Sequence, residues 1–232
     1  MKLRLIVVLG ILVLVSQVDA KEDLVLKNQK DKISYVLGMD IGNNLKRQSI
    51  DIDPDILARG IKDAVSGGKS LMTEQEAREV ATAFQKEMMA KQEERNKKLG
   101  EKNKKEGETF LAENKKKGGV KTLPSGLQYK VIKAGTGKKP KSTDTVTTHY
   151  RGTLIDGTEF DSSYRRGQPA TFPVNGVIPG WTEGLQLMEE GAKWQLFVPP
   201  NLAYGDRGAG PQIGPNATLI FEVELISIQE KK

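Results

Sequence analysis

The distribution of proline and aromatic residues divides this chain near residue 120 into two segments that must fold differently. Of the 10 prolines, only Pro54 precedes Pro124. The aromatic residues follow the same division, because the first segment contains only Tyr35, Phe84 and Phe110. Proline interrupts helices and marks turns, so the first segment favours helices and the second favours short strands joined by turns. We therefore expect an α+β protein whose helices precede its sheet.

The first twenty residues have the pattern of an export signal. Lys2 and Arg4 precede an apolar run over residues 5–15, and small to medium residues at the end of this stretch suit cleavage. An uncleaved membrane anchor is the alternative, but the apolar run is about half of the roughly 20 residues that span a bilayer. We therefore expect a signal peptide over residues 1–20 and an exported mature protein.

The cysteine, histidine and charge content narrows the function classes. The chain has no cysteine and one histidine, His149, so disulfides and thiol catalysis are excluded and a multi-histidine metal site is disfavoured. The formal net charge of +6 would suit nucleic acid, but an exported protein rarely meets it. A basic coiled-coil nucleic-acid binder would require retention in the cytosol. We expect no metal, no cofactor and no nucleic-acid partner.

Three amphipathic helices are predicted between residues 21 and 89. Asp53-Pro54 suits the start of the second, and the capping box Thr73-x-x-Glu76 suits the start of the third. These helices have too little mass to bury both faces, so we expect a homodimer through residues 21–89, with a monomeric three-helix cap as the alternative. The apolar faces comprise Ile33, Val36, Leu37, Ile41 and Leu45, then Ile56, Leu57, Ile61, Ala64 and Val65, then Ala77, Val80, Ala81, Phe84 and Met88.

The third helix is expected to continue far beyond its apolar face. Residues 90–109 are almost wholly charged and polar, contain no proline, and place Glu and Lys at i,i+4 spacing, as in Glu94 and Lys98. A helix from Glu74 to about Lys117 would be about 65 Å long at about 1.5 Å per residue. Because a helix that is polar all round is expected to bridge solvent, residues 90–119 are predicted to be a spacer helix and linker. Its lysines are interpreted as a solvated face, with an anion-binding patch as the alternative.

The segment over residues 120–232 is predicted to form an antiparallel sheet with one short helix. Asp156-Gly157 is a strong hairpin signal, and we expect positive φ at both positions. The short helix follows Pro179-Gly180, and its apolar face would pack on the sheet. That face comprises Trp181, Leu185 and Met188, and the predicted strands cover residues 128–132, 145–155, 171–172, 193–198 and 218–228.

Four motifs in this segment carry a resemblance to a known family. HYRGTLIDGTEFDSS, PATFPVNGVIPGWTEGLQLM, VPPNLAYG and IGPNATLIFEVELISI resemble FKBP-type peptidyl-prolyl cis-trans isomerases over about Leu123 to Ile228. With its helical first segment, the whole chain is similar to bacterial exported members of the macrophage-infectivity-potentiator type. The resemblance implies a half-barrel of antiparallel strands wrapped on a short helix, a dimer joined through the N-terminal helices, and a place in the periplasm or on the outer cell surface.

The resemblance also implies a pocket. Its catalytic residues would be Tyr150, Phe160, Asp161, Ile178, Trp181, Tyr204 and Phe221, and its substrate-binding residues Arg166, Phe172, Val177 and Ile213. Trp181 would be the floor, and the backbone N–H of Ile178 would receive a ligand carbonyl. Ala170 and Ala209 stand where compact relatives often carry an aromatic residue and a histidine, which implies a wider rim. From periodicity alone, the aromatic residues could be core and Asp161 with Arg166 a surface ion pair.

The function implied by this resemblance is isomerisation of X-Pro bonds in unfolded, proline-containing exported polypeptides. Macrolide inhibitors of the family are further expected ligands, with an affinity that depends on the wider rim. A non-catalytic chaperone is the alternative, in which the same pocket holds proline-containing partners within a dimeric cradle.

Overall fold

The computed structural model describes residues 25–229, so the predicted signal peptide lies outside the described residues. The chain divides into two compact units between Thr73 and Glu74. Among the described residues, no helix combines the length and apolar character needed to cross a bilayer.

The first unit contains two helices, α1 (Gln29–Arg47) and α2 (Pro54–Ser66). Each begins at a side chain that accepts hydrogen bonds from the first turn: Asn28 caps α1, and Asp53 caps α2. Gly67 ends α2 in the left-handed region with φ of 66°. Both helices were predicted from local signals and are confirmed.

The apolar face of each helix in this unit lies on the surface. Neither α1 nor α2 buries a residue, and the side chain of Val65 is 84% exposed. Isolated apolar residues on a surface are ordinary, but a row along a helix marks a contact surface. The exposed apolar residues are Ile33, Val36, Leu37, Met39 and Ile41 on α1, and Ile56, Ile61 and Val65 on α2.

The second unit begins with the long helix α3 (Glu74–Asn114), which starts where the capping box predicts and ends before the expected Lys117. Its last part is polar in sequence as predicted, but it is not surrounded by solvent. Gly100, Gly107 and Asn114 are buried at seven-residue intervals, on one side of the helix. A Cβ atom at Gly107 would lie 2.3 Å from Oγ1 of Thr218, so the helix packs directly on the sheet segment.

Seven strands form one antiparallel sheet in the order β1-β2-β6-β7-β3-β4, with β5 also paired to β3. The five predicted strands are present within one or two residues at each end, whereas β1 and β4 were not predicted. The strands are β1 (Val120–Thr122), β2 (Gln128–Lys133), β3 (Thr145–Leu154), β4 (Glu159–Ser162), β5 (Ala170–Pro173), β6 (Lys193–Val198) and β7 (Leu219–Gln229).

The short helix α4 (Pro179–Leu187) packs on this sheet, as predicted. A Cβ atom at Gly184 would lie 3.1 Å from the side chain of Leu196 on β6, so glycine permits the close approach. Single-turn helices cover Val174–Gly176 and Pro200–Leu202. The core between α4 and the sheet includes Val146, Leu185, Met188, Leu196, Leu219, Val223 and Leu225.

The turn between β3 and β4 differs from its predicted form. Only Gly157 has positive φ, at 88°, and not Asp156. The N–H of Leu154 donates to the carbonyl of Thr158 at 2.9 Å, which closes a three-residue loop. Such a loop needs left-handed backbone at its last position alone, because a type I turn precedes it.

Candidate functional site

The floor of the candidate site is Trp181, in the first turn of α4. Pro179 occupies the first turn and bends the chain into the helix, so the indole faces the sheet. Its ring meets those of Tyr150, Phe172 and Phe221 edge to face, with centroids 5.2, 5.9 and 5.3 Å apart. Edge-to-face pairs are a favoured aromatic geometry, so the four rings hold one another in place.

An irregularity in β4 brings two consecutive side chains to the same site. Gly152 of β3 pairs with Asp161, and the next residue, Thr153, pairs with Glu159, so Phe160 is the extra residue of a bulge. Successive strand residues normally point to opposite faces, but here both Phe160 and Asp161 line the cleft. Gly152 is needed opposite, because a Cβ atom there would lie 2.6 Å from the Phe160 ring.

Three polar side chains bond to one another at the edge of the cleft. The hydroxyl of Tyr150 donates to Asp161 and accepts from Arg166 at 2.7 Å, and Arg166 also donates to Asp161. The Arg166 guanidinium lies 5.4 Å from the centroid of the Tyr150 ring. The backbone N–H of Ser162 donates to Asp161 at 2.8 Å. The carboxylate is therefore fixed from three sides.

These contacts set the protonation states. Burial raises the pKa of Tyr150, and its hydrogen bond to the carboxylate raises it further. Burial opposes ionisation of Asp161, but the hydrogen bonds from Tyr150 and Arg166 outweigh it, so the pKa of Asp161 lies below its ordinary value. At neutral pH the site thus holds a neutral phenol, a carboxylate and a guanidinium.

Ile178 precedes α4 and presents an unused donor. Its carbonyl accepts from Trp181 at 2.9 Å and from Thr182 at 3.1 Å, so the helix fixes its orientation. Its own N–H has no hydrogen-bond partner among residues 25–229. Because Ile178 also lines the cleft, this N–H is available to a carbonyl of a bound molecule.

The remaining wall is a loop over residues 203–217. Within it, Ala209 and Ile213 exchange two backbone hydrogen bonds of 2.8 and 3.2 Å, which close the loop on itself. The complete cleft has a volume of about 710 Å³. Its lining comprises Tyr150, Phe160, Asp161, Phe172, Gly176, Val177, Ile178, Trp181, Tyr204, Ala209, Gly210, Pro211, Gln212, Ile213 and Phe221.

The structure brings the predicted site residues together. All of them line the cleft except Arg166, which reaches it through Tyr150 and Asp161. Of the two alanines predicted to widen the rim, Ala209 lines the cleft and Ala170 does not. Sequence reasoning missed Gly176, Gly210, Pro211 and Gln212, and the run GAGPQIGP indicated only a loop.

His149, the histidine of the chain, lies outside the cleft. His149 is adjacent to Tyr150 on β3 and stacks on Tyr164, with centroids 4.6 Å apart, rather than lining the cleft. Within residues 25–229, no group of three or more His, Asp or Glu side chains is placed to hold a metal ion. The arrangement therefore suits an apolar ring and a neighbouring carbonyl bound beside a fixed charge pair.

Comparisons with known proteins agree with this geometry. Residues 136–226 match the model of FKBP-type peptidyl-prolyl cis-trans isomerase, and residues 30–131 match that of the domain amino terminal to it. The outer membrane protein MIP of Legionella longbeachae is 52% identical over 88% of each chain. The peptidyl-prolyl cis-trans isomerase Mip of Coxiella burnetii is 50% identical over 89% of this chain and 90% of its own.

Solved structures agree as well. The crystal structure of FkpA from Escherichia coli is 42% identical, covers 88% of this chain and 99% of its own, and superposes with a TM-score of 0.68. A Pseudomonas syringae isomerase is 44% identical over 56% of this chain and 96% of its own, with a TM-score of 0.53. By sequence and by fold, this chain belongs to the family of FKBP-type peptidyl-prolyl cis-trans isomerases.

Proposed function

We propose that this isomerase rotates X-Pro peptide bonds in the cleft above Trp181. The observation that carries the proposal is the indole floor, with three aromatic rings around it and the unpaired N–H of Ile178 beside it. The floor accepts a pyrrolidine ring, and the N–H of Ile178 receives a carbonyl of the same peptide. Asp161 and Arg166 hold Tyr150 against the floor.

This reaction needs no nucleophile, acid or metal. Rotation breaks amide resonance, which sets a barrier of about 18–20 kcal/mol. The twisted amide is less polar in its C–N conjugation than the planar one, so an apolar cleft favours the transition state over the solvated ground state. Uncatalysed isomerisation takes about 10–100 s. Acceleration by about four decades would need about 5.4 kcal/mol, at about 1.36 kcal/mol per decade.

The proposed assembly is a homodimer through residues 21–89. The apolar rows of α1 and α2 support it, since they are exposed in the first unit. In the second unit, the first turns of α3 expose Val80, Phe84 and Met89 in the same way. A second copy of the chain supplies matching apolar surface, because a symmetric dimer uses the same patch on both subunits.

The proposed substrates are unfolded proline-containing chains outside the cytoplasm, in the periplasm or at the outer cell surface. The signal-peptide pattern over residues 1–20 supports export. The name of the Legionella longbeachae relative, an outer membrane protein, supports it independently. Macrolide inhibitors of the family are proposed ligands of the same cleft, with Ala209 leaving its rim open.

The two tryptophans of the chain supply the test. Both are buried, but Trp181 lines the cleft, whereas Trp194 stacks on Tyr129 at 4.4 Å and does not line it. Trp181→Leu removes the indole that the peptide ring would contact, so we expect kcat/KM on a proline tetrapeptide to fall about tenfold or more, equivalent to about 1.36 kcal/mol or more of lost transition-state stabilisation. Trp194→Leu should lower the melting temperature but keep kcat/KM. Equal activity of the two folded variants would refute the proposed site.

A further inference from the structure

Helix α3 is attached to the sheet at its carboxyl-terminal end. The side chain of Asn114 is buried and donates to Oε1 of Gln128 on β2 at 3.0 Å. Gln128 in turn donates to the carbonyl of Leu111 at 2.9 Å. The ring of Phe110 lies 6.0 Å from that of Phe197 on β6. This end of α3 is therefore fixed relative to strands β2 and β6 of the sheet, whose other strands carry the cleft residues.

Two to four turns earlier, the same helix touches the loop that walls the cleft. A Cβ atom at Gly100 would lie 3.2 Å from Cβ of Pro215, and one at Gly214 would lie 2.8 Å from Cδ2 of Leu99. Glycines at both positions allow the helix and the loop to meet. Nδ2 of Asn103 donates to the carbonyl of Pro215 at 2.8 Å, in a partly buried contact.

The position of this contact links it to the cleft. Pro215 is two residues beyond Ile213, which lines the cleft and pairs with Ala209. Asn216 has φ of 54°, a backbone region that asparagine adopts more readily than most residues, and its N–H donates to the carbonyl of Gly205 at 2.8 Å. The loop thus braces itself internally, and α3 adds a contact at Pro215.

We propose that Asn103 is a positioning residue for the cleft. Through the carbonyl of Pro215 it holds the loop over residues 209–213 at a fixed distance from the sheet, which carries Tyr150 and Phe221. Residues 99–103 of α3 then support the isomerase site, in addition to their predicted role as part of a spacer helix. This inference rests on the proposed site, because its kinetic consequence requires the loop to contact substrate.

The physical consequence is a change in binding more than in chemistry. A wall that contacts the peptide ring contributes equally to the bound ground state and the transition state, so its displacement raises KM and leaves kcat nearly unchanged. Loss of one partly buried hydrogen bond would raise KM by about three- to tenfold. Substitution of a residue that only supported the fold would lower the melting temperature without raising KM selectively over kcat.

The test uses the full chain and two asparagines of one helix. Asn103→Ala and Asn103→Asp remove the donor to Pro215, and the second keeps the size of the side chain. Asn114→Ala is the matched control. It removes the hydrogen bond that holds α3 to Gln128 on β2, and this hydrogen bond does not involve the loop. We expect KM for a proline tetrapeptide to rise about three- to tenfold in both Asn103 variants, with kcat within about twofold. In Asn114→Ala, only the melting temperature should fall.

A readout without substrate separates this inference from the proposed activity. In NMR spectra of the free protein, the amide resonances of Ala209 and Ile213 should move in the Asn103 variants and stay in Asn114→Ala. If those resonances move while KM does not, the loop is braced as inferred but does not contact the substrate, and the positioning role is overturned. If neither moves, the brace itself is refuted.

Gly100→Ala provides an independent test if the Asn103 variants prove too unstable to measure. Gly100→Ala stabilises the helix by about 1 kcal/mol, because alanine has a higher helix propensity than glycine. The same substitution places a methyl group 3.2 Å from Cβ of Pro215. It should therefore displace the loop and raise KM without lowering the melting temperature. An unchanged KM in folded Gly100→Ala would count against the inference.

Discussion

Tyr150 stands edge-on to Trp181, with ring centroids 5.2 Å apart and an angle of 88° between the planes. At the other end of the same side chain, the hydroxyl of Tyr150 bonds to Asp161 and Arg166. The apolar floor and the polar edge of the cleft are therefore joined through one residue. We therefore expect a substitution at Asp161 or Arg166 to shift the Tyr150 ring and so to alter its packing on Trp181.

Asp161→Leu should lower kcat/KM on a proline tetrapeptide by about 10- to 100-fold, because hydrogen bonds to a charged group are worth about 1.5–3 kcal/mol. It leaves Arg166 without its carboxylate and frees the ring of Tyr150. Glu159→Leu is the matched control, since Glu159 lies on the same strand and pairs with Arg151 and Arg165 outside the cleft. Equal kinetics in the two variants, both shown to be folded, would reject a role for Asp161.

The pH dependence of stability should show the lowered pKa of Asp161. In the unfolded chain an aspartate titrates near about pH 3.9. Its folded pKa lies lower, so the stabilisation is fully present above about pH 3.9 and is lost as pH falls through the folded value. We expect the difference in melting temperature between the parent and Asp161→Leu to shrink only below about pH 4. A difference that shrank between pH 5 and 7 would contradict this assignment.

Catalysis should be insensitive to pH over the neutral range. Tyr150 keeps its proton because burial raises its pKa, and Asp161 keeps its charge. We therefore expect a flat profile of kcat/KM between about pH 5 and pH 9. A bell-shaped profile centred in that range would indicate an acid or base that the cleft does not contain.

The smallest fragment that keeps full stability should begin near residue 90 and not near residue 120. The shorter fragment lacks Gly107, Phe110 and Asn114, and it exposes Phe197 and Thr218 of the sheet. We expect a lower melting temperature for the fragment over residues 120–232 than for the one over residues 90–232. Equal melting temperatures would show that α3 does not stabilise the sheet.

Charges on the apolar row of α2 should prevent dimer formation. Ile61 and Val65 are exposed and lie one turn apart, so Ile61→Glu with Val65→Glu would place two carboxylates in the proposed interface. Light scattering should give the mass of a monomer for this double variant. Its activity on a proline tetrapeptide should be unchanged. Lys62→Glu, also on α2, serves as the control and should remain a dimer. If both the double variant and the Lys62→Glu control remain dimers, the interface does not include this face of α2.

A kink in α3 should affect protein substrates more than peptides. In the proposed dimer, two clefts could engage one unfolded chain at two points, which would raise its local concentration, whereas a tetrapeptide would gain nothing. Lys91→Pro costs that helix about 3 kcal/mol, and Lys91→Ala removes only the exposed ion pair with Glu87. We expect Lys91→Pro alone to lower the ratio of refolding activity to tetrapeptide activity. An equal ratio in both variants would exclude the arms from substrate capture.

Local patterns in the sequence predicted most elements of this fold. Asp53-Pro54 and the Thr73 capping box located the starts of α2 and α3, because capping is a matter of a few adjacent residues. Alternating residues located five strands, and ten of the eleven residues that the motifs predicted for the pocket line the cleft, the exception being Arg166. The strands β1 and β4 were missed because three or four residues carry too little pattern to separate a strand from a loop.

Tertiary packing decided what those patterns do not record. The bulge that turns both Phe160 and Asp161 toward the cleft depends on how β4 pairs with β3. The buried side of α3 consists of Gly100, Gly107 and Asn114, which have no hydrophobic signal, so this stretch looked solvated in the sequence. A glycine is buried only when a neighbouring segment approaches its backbone, and here Pro215 and Thr218 do so from more than 100 residues away along the chain.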